Sequence, residues 1–203
     1  MGRMTIHDDG ARVDPRVLRT RRLLQDALLA LARERSLDEI SVADVADRAT
    51  VNRSTFYQHY PDTDTLLADA LDAQAALVGA DLTQIQSGTG SGVTPDVLVR
   101  YATHVSENVA LYRSALGEHG SPVAVTRLRR RIAALAAEGL ELHGTPPALS
   151  GLPVPIAAAA LAGSVIGVLV AWLERDPLPP AQDVASWAWS AVSGWPADPT
   201  PLS

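Results

Sequence analysis

The sequence predicts an all-α protein, with a small N-terminal helix-turn-helix unit followed by a larger helical domain. Three observations carry that reading. Apolar residues recur at helical spacing along most of the 203 residues, and no stretch alternates as a strand would. Glycine- and proline-rich breakers cut the chain into helix-length pieces. Near the N-terminus, two short helical segments lie one tight turn apart.

Taken in order, Leu24, Leu28 and Leu31, joined by Leu23, Ala27 and Ala30, form an apolar stripe from about Pro15 to Arg35. Pro15 suits a first-turn position, and Ser36 ends the run. Helices then follow at about 42–48, 53–59, 63–85, 94–108, 110–118, 122–142, 154–175 and 181–194. The breakers between them include Ser87 to Gly92, which reads as flexible linker, Gly144 to Pro155, and Asp176 to Pro180. Pro196 to Ser203 reads as a frayed tail. The hand-over from short helices to long ones falls inside the fourth helix, near Leu67–Leu77. That organises the chain as a DNA-binding domain over 15–77, with its helix-turn-helix at 41–60, and a C-terminal domain over 78–196.

Composition excludes several classes. With 47% hydrophobic and 20% charged residues, the chain is a folding one rather than a disordered one. There is no cysteine, which removes disulfide scaffolds, thiolate metal sites and cysteine nucleophiles. The five histidines are scattered, so no metal site is expected. All 17 basic residues are arginine, and each is able to fork onto a phosphate. The net charge of −6 argues against non-specific coating of nucleic acid, but its distribution is uneven. Residues 1–60 hold ten arginines against nine acids, whereas residues 61–203 hold seven against fourteen. Arg16, Arg19, Arg21 and Arg22 fall within seven positions, a basic edge on an acidic body.

The segment Ile40 to Tyr60 carries the chemistry. Ser41 is an N-cap candidate with Asp44 three residues on, and Ile40 and Val45 occupy the positions of a hydrophobic staple. Val42, Val45, Ala46 and Ala49 form the inner face of this short helix. A turn from Ala49 to Asn52 follows, and Asn52 is placed to cap a second helix. Phe56 and Tyr60 share the inner face of that helix. Arg53, Ser54, Thr55, Tyr57, Gln58 and His59 face the other way. A plain helical hairpin with a solvated polar face would have the same spacing; an outer face nearly free of acids favours a recognition helix. Such a helix lies in the major groove, where arginine pairs with guanine, glutamine with adenine, and hydroxyls hold phosphates.

From about Val17 to Leu77 the sequence resembles the TetR family of transcriptional regulators. The likeness rests on the basic first helix, Leu37-x-x-Ile40-Ser-Val-x-x-Val45-Ala, Ala49-x-Val51-x-Arg53-x-Thr55-Phe-Tyr57-x-His59-Tyr60, Pro61 and Leu66-Leu67. The resemblance implies a homodimer on a near-palindromic duplex operator, with a helical C-terminal domain for dimerisation and for an unidentified small-molecule effector. It assigns DNA contacts to Arg19, Arg21, Arg22, Ser41, Val42, Arg53, Ser54, Thr55, Tyr57 and His59; Asn52 and Gln58, by their own place at the start and on the outer face of the second helix, are expected to join them. Two departures stand out. Thr50 replaces the glycine usual in the turn, and Asp62-Thr63-Asp64 replaces a lysine usual at the start of the fourth helix. The first predicts another turn geometry or a strain of about 1 kcal/mol. The second predicts weaker phosphate binding at that helix, leaning on Arg19 to Arg22.

Val154–Leu173 is twenty residues without a charge, long enough to span a bilayer. Its six alanines and the pattern Gly163-Ser-Val-Ile-Gly167 suit a close-packed helix in a core or subunit interface better than a membrane span. The segment with its successor resembles the last two helices of the family's C-terminal domain, which form a four-helix bundle across the dimer axis. That assigns Gly163, Gly167, Val170 and Trp187 to the interface. Candidates for an effector cavity are Tyr101, His104, Val105, Tyr112, His119 and Trp172, with ordinary packing the competing role for each. Arg127, Arg129, Arg130 and Arg131 read as a solvated or acid-paired face.

No catalytic constellation is recognisable, so no enzymatic activity and no cofactor are expected. Met1–Asp14 is polar and acidic, unlike a secretory signal, and the expected location is the cytoplasm, away from membrane. The readings that compete with a ligand-responsive repressor are a co-activator working through a protein partner, and a helical interaction protein that has lost DNA binding.

Overall fold

The computed structural model describes residues 14–77, 94–118, 120–146 and 149–193. Among these the chain forms nine α-helices, one 3-10 turn (Leu37–Glu39) and no strand. The helices are α1 (Pro15–Leu31), α2 (Val42–Arg48), α3 (Arg53–His59), α4 (Thr63–Leu77), α5 (Asp96–Glu107), α6 (Val109–Leu116), α7 (Pro122–His143), α8 (Val154–Leu173) and α9 (Ala181–Ser193). The expected linker Ser87–Gly92, the tail from Pro196, the stretch 78–85 and His119 lie outside the described residues.

Each helix starts where its sequence supplies a stop or a cap. In α1, Pro15 takes the first turn and the Asp14 carboxylate accepts from the Arg16 amide at 2.8 Å. This helix ends at Leu31, four residues before the expected Arg35. The chain continues through turn-type bonds from the Arg33 amide to Ala30 and from Glu34 and Arg35 to Leu31; beyond the helix, Glu34 is held by Arg48 in a fork of 2.9 and 2.7 Å, and Arg35 meets Asp44 at 3.0 Å. The expected capping box at the start of α2 is present, with the Ser41 side chain accepting from the Asp44 amide and the Asp44 carboxylate accepting from the Ser41 amide. Ile40 and Val45, the staple residues, are both buried.

Asn52 stands at the N-cap position of α3 but makes no side-chain cap. Its carbonyl accepts from Thr55 and Phe56 instead, and its side chain is exposed. Between the two helices, the Val51 amide bonds to the Ala46 carbonyl and the Thr50 amide to that of Asp47. These are the two bonds of a Schellman turn, which requires a left-handed residue between them. Thr50 takes that conformation with φ 57°, so the glycine geometry is kept and the strain is carried by a β-branched side chain.

Packing then joins the two halves. Leu24, Leu28 and Leu31 of α1 meet Val45, Phe56, Tyr60, Leu66 and Leu67 in one core that continues through Val105, Tyr112, Ala115 and Ala124 to Leu169, Trp172 and Val184. Helix α4 lies against α1 on one side and α7 on the other, and α7 packs most extensively on α8. Helix α9 packs on α8 and α5. The 3-10 turn touches α6, a second link between the helix-turn-helix unit and the body. A smaller core, Leu140 with Ala157 and Ala158, closes the far end of the α7–α8 pair.

Relieving Thr50 gives a direct test. Left-handed strain at a non-glycine residue costs about 1–3 kcal/mol, more than the roughly 0.5–1 kcal/mol entropic penalty of glycine. Thr50→Gly is therefore expected to stabilise the protein by about 1 kcal/mol, a rise of roughly 2–4 °C in Tm. A calorimetric melt with unchanged or lowered Tm would contradict this account of the turn.

Candidate nucleic-acid interface

Helix α3 separates its two faces cleanly. Phe56 and Tyr60 are buried on the inner one. Arg53, Ser54, Tyr57 and Gln58 are exposed on the outer one, with Thr55 and His59 half-buried beside them. Tyr57 leaves 59% of its surface open, braced edge-on against the Phe56 ring at 5.5 Å. Tyr57 thus stands on the outer face of α3, beside the exposed Arg53, Ser54 and Gln58.

On α1, Arg19, Arg21 and Arg22 are exposed. Arg21 places its guanidinium 5.6 Å from the centre of the Tyr60 ring, which ties the basic edge of α1 to the end of α3. Among the described residues, Arg19, Arg22 and Arg53 enter no ion pair. Ser41 is exposed and Val42 half-buried at the start of α2. The Ser41 hydroxyl, and then Arg35, hold the Asp44 carboxyl well below the usual carboxylate range, so this acid stays charged while its oxygens are occupied.

The start of α4 differs in sign. Asp62 caps it, accepting from the Thr65 amide at 2.7 Å, and Asp62 and Asp64 are both exposed. A carboxylate suits a helix N-terminus but occupies the place where an anion would otherwise bind. The start of α4 is therefore acidic, while the arginines named above stand on α1 and α3.

In the body, an enclosed cavity of about 10 Å³ lies between α4, α5, α6 and α7, room for about one water. Its walls are Ala68, Leu71, Asp72, Ala75, Tyr101, Tyr112, Ala124 and Leu128. Of the sequence-predicted residues, Tyr101 and Tyr112 line it. His104 stands behind them, its ring 6.4 Å from Tyr101 and 5.8 Å from Tyr112. Val105 is fully buried in the main core. Trp172 is also buried, and its indole N–H donates to the Pro179 carbonyl at 2.9 Å, anchoring the segment between α8 and α9.

His104 Nε2 is buried without a hydrogen-bond partner among the described residues, and the Tyr112 hydroxyl lies beside that of Tyr101. Burial, and next the neighbouring Tyr101, push the Tyr112 hydroxyl above its ordinary pKa. Burial lowers that of the His104 imidazole, against the pull of Glu107. Asp72 is raised by burial, opposed by Arg131 and Arg127. Sequence reasoning missed Asp72. The available signal was an acid beside the apolar run Ala68, Leu71, Ala75 on the inner face of a helix.

Gly163 and Gly167 lie on the exposed face of α8, with no atom within 4 Å of where a Cβ would stand. Val170 is partly buried against the core. Trp187 is partly buried too, with the Arg175 guanidinium 5.4 Å above its ring. By length and composition α8 is apolar enough to cross a membrane; in this fold it packs against α6, α7 and α9.

A helix-turn-helix carried on a longer helical body is an architecture that DNA-binding transcriptional regulators use. Residues 24–70 match the family model described as bacterial regulatory proteins of the tetR family, so this segment carries a TetR-type helix-turn-helix. A curated relative, the HTH-type transcriptional regulator YxbF of Bacillus subtilis strain 168, is 35% identical over 72 residues, which is 35% of this chain and 19% of that protein. The match thus spans about a fifth of the relative's length. The fold as a whole is similar to a TetR transcriptional regulator from Streptococcus agalactiae 2603V, with TM-score 0.61, 23% identity and coverage of 88% of this chain and 96% of that one. It is also similar to Thermus thermophilus FadR, a TetR family repressor in complex with lauroyl-CoA, with TM-score 0.58, 19% identity and coverage of 90% and 98%.

The state of His104 makes stability depend on pH. Its folded pKa lies below the ordinary value, so the unfolded chain binds the proton first and stability is lost as pH falls from neutrality through about 6.5. Tm is expected to drop between pH 7 and 5.5, and to drop less in His104→Gln. Equal pH profiles for the two proteins would remove His104 from this account.

Proposed function

We propose that this regulator is a ligand-responsive repressor that binds a near-palindromic operator as a homodimer in the cytoplasm. The observation that carries the proposal is the outer face of α3. Arg53, Ser54, Tyr57 and Gln58 are exposed there together without an acid among them, while Phe56 and Tyr60 lock the helix from behind. In this reading Arg53 and Gln58 approach base edges. Asn52, Ser54, Thr55, Tyr57 and His59, with Ser41 and Val42, line the groove and backbone. Arg19, Arg21 and Arg22 neutralise phosphate or enter the adjacent minor groove. The DNA-reading unit spans about 15–77 and the C-terminal domain the remainder to 196.

Dimerisation would use the exposed side of α8. Ile156, Ala160, Gly163, Ser164, Gly167 and Ala171 recur there at helical spacing and are all exposed, on a helix without a charged residue. Small residues let a second helix approach closely, and a symmetric pair would set two recognition helices about 34 Å apart. An effector would enter between α4, α5, α6 and α7, where Tyr101 and Tyr112 face Asp72. Because the space there holds about one water, a larger ligand must favour a second, opened arrangement of these helices. Differential affinity for the two arrangements is all that release from DNA requires. That FadR carries lauroyl-CoA is consistent with a ligand role for this architecture.

The deciding experiment is selection of sites from random duplex DNA with the purified protein at two salt concentrations. Enrichment of an inverted repeat is expected, with affinity falling as salt rises and with Arg53→Ala costing about 1–3 kcal/mol. Recovery of no sequence above background at low salt would reject sequence-specific binding. For the dimer, Gly167→Leu separates assembly from folding. The monomer has open space at that Cβ, and replacing a helical glycine favours the helix by about 1 kcal/mol. The variant is expected to stay folded yet sediment as a monomer and lose operator binding. A dimeric Gly167→Leu protein would place the interface elsewhere.

A further inference from the structure

The recognition helix is tied to the body by one acid. The Tyr60 ring caps the core end of α3, and its hydroxyl donates to Asp69 Oδ2 on α4. From α1, the Gln25 amide donates to that same Oδ2 at 2.9 Å and lies 3.3 Å from the Tyr60 hydroxyl. From α7, Arg127 reaches the other oxygen, Asp69 Oδ1, at 3.4 Å. Asp69 therefore touches α1, α3 and α7 at once. It is also the point where α7 is joined by polar contact to the recognition helix.

Arg127 is shared. The same guanidinium nitrogen lies 3.9 Å from Asp72 Oδ2, one helical turn further along α4. Asp72 is a wall of the enclosed cavity. It is held on its other side by Arg131, 3.9 Å from Oδ1 and donating to the Asp72 carbonyl at 2.9 Å. A contact made to Asp72 from the cavity would alter the share of Arg127 left for Asp69. Arg129 and Arg130 are exposed and enter no ion pair among the described residues.

We propose that Asp69 and Arg127 are positioning residues for DNA binding: they set the pitch of the recognition helix through Tyr60, and Asp72 makes that setting sensitive to occupancy of the cavity. Neither residue touches DNA in this scheme. The reading rests on α3 being the DNA-contacting helix, and the test below has an arm independent of that. Both carboxylates and Arg127 are about one-third exposed, so the expected coupling is modest rather than all-or-none.

Hydrogen exchange followed by NMR on the DNA-free, full-length protein reads the positioning directly. In Arg127→Gln the amides of Phe56 to Tyr60 are expected to exchange about fivefold faster, with amides of α8 unchanged. Arg127→Lys, which keeps the charge, is expected to restore most of the protection. In the second arm, Arg127→Gln weakens binding of the selected inverted repeat by about fivefold. Combining it with Tyr60→Phe adds nothing further, because both remove the same link. Unchanged exchange at α3 in Arg127→Gln overturns the proposal. So does an operator loss that adds in full to that of Tyr60→Phe, since Arg127 would then act by another route. Wild-type protein that binds no duplex would sink the DNA reading alone, leaving the exchange arm to decide the positioning role.

Discussion

Helix α4 is the constraint on which the rest of this structure depends. It must bury one side against α1 and the other against α7, so that Leu66, Leu67, Ala68, Ala70 and Ala75 all lie inside. A helix packed on two sides cannot shift without disturbing both. The DNA-reading unit and the body are for that reason not two beads on a linker. One apolar core runs from Leu24 to Val184, and α4 packs on α7 of the body as well as on α1.

Polar groups buried along this axis sharpen the coupling. A phenol hydroxyl left unsatisfied in a core costs about 1–3 kcal/mol. Tyr60 avoids that cost by reaching Asp69, and burial together with that carboxylate pushes its hydroxyl above the ordinary tyrosine pKa. Tyr112 lies with its hydroxyl beside that of Tyr101, at a cavity of about 10 Å³ with room for about one water.

Helix α8 carries the second constraint. It has no charged residue over twenty positions, yet Ile156, Ala159, Ala160, Gly163, Ser164, Gly167 and Ala171 remain exposed. Only small side chains recur across the middle of that surface, which keeps its backbone accessible at close range. The opposite face, with Ala157, Ala162, Ile166, Leu169, Trp172 and Leu173 buried, supports α7 and α9. The same twenty residues therefore have the composition of a membrane span and the packing role of a bundle helix, and the difference lies in which neighbours they meet.

Much of this protein is legible from local signals. Helical spacing, Pro15, the Ser41–Asp44 capping box and the Ile40–Val45 staple depend on residues within one or two turns of each other. The helix boundaries and the two faces of α3 follow from them without knowledge of the fold. The need for a left-handed residue at Thr50 is local in the same sense, because it arises from the two bonds that close one turn. The ion pairs that follow α1 are not local: Arg48 and Asp44 reach back to Glu34 and Arg35 from the next helix. Nor is the Asp69 junction. Gln25, Tyr60, Asp69 and Arg127 span about half the chain, and their meeting is set by how α1, α3, α4 and α7 pack. Only the tertiary structure decided that Tyr60, read from its spacing as core, also carries a polar bond, and that Asp72 faces a cavity. Sequence periodicity assigns a residue to a face, whereas distance between side chains on different helices depends on crossing angles and offsets that no short stretch encodes.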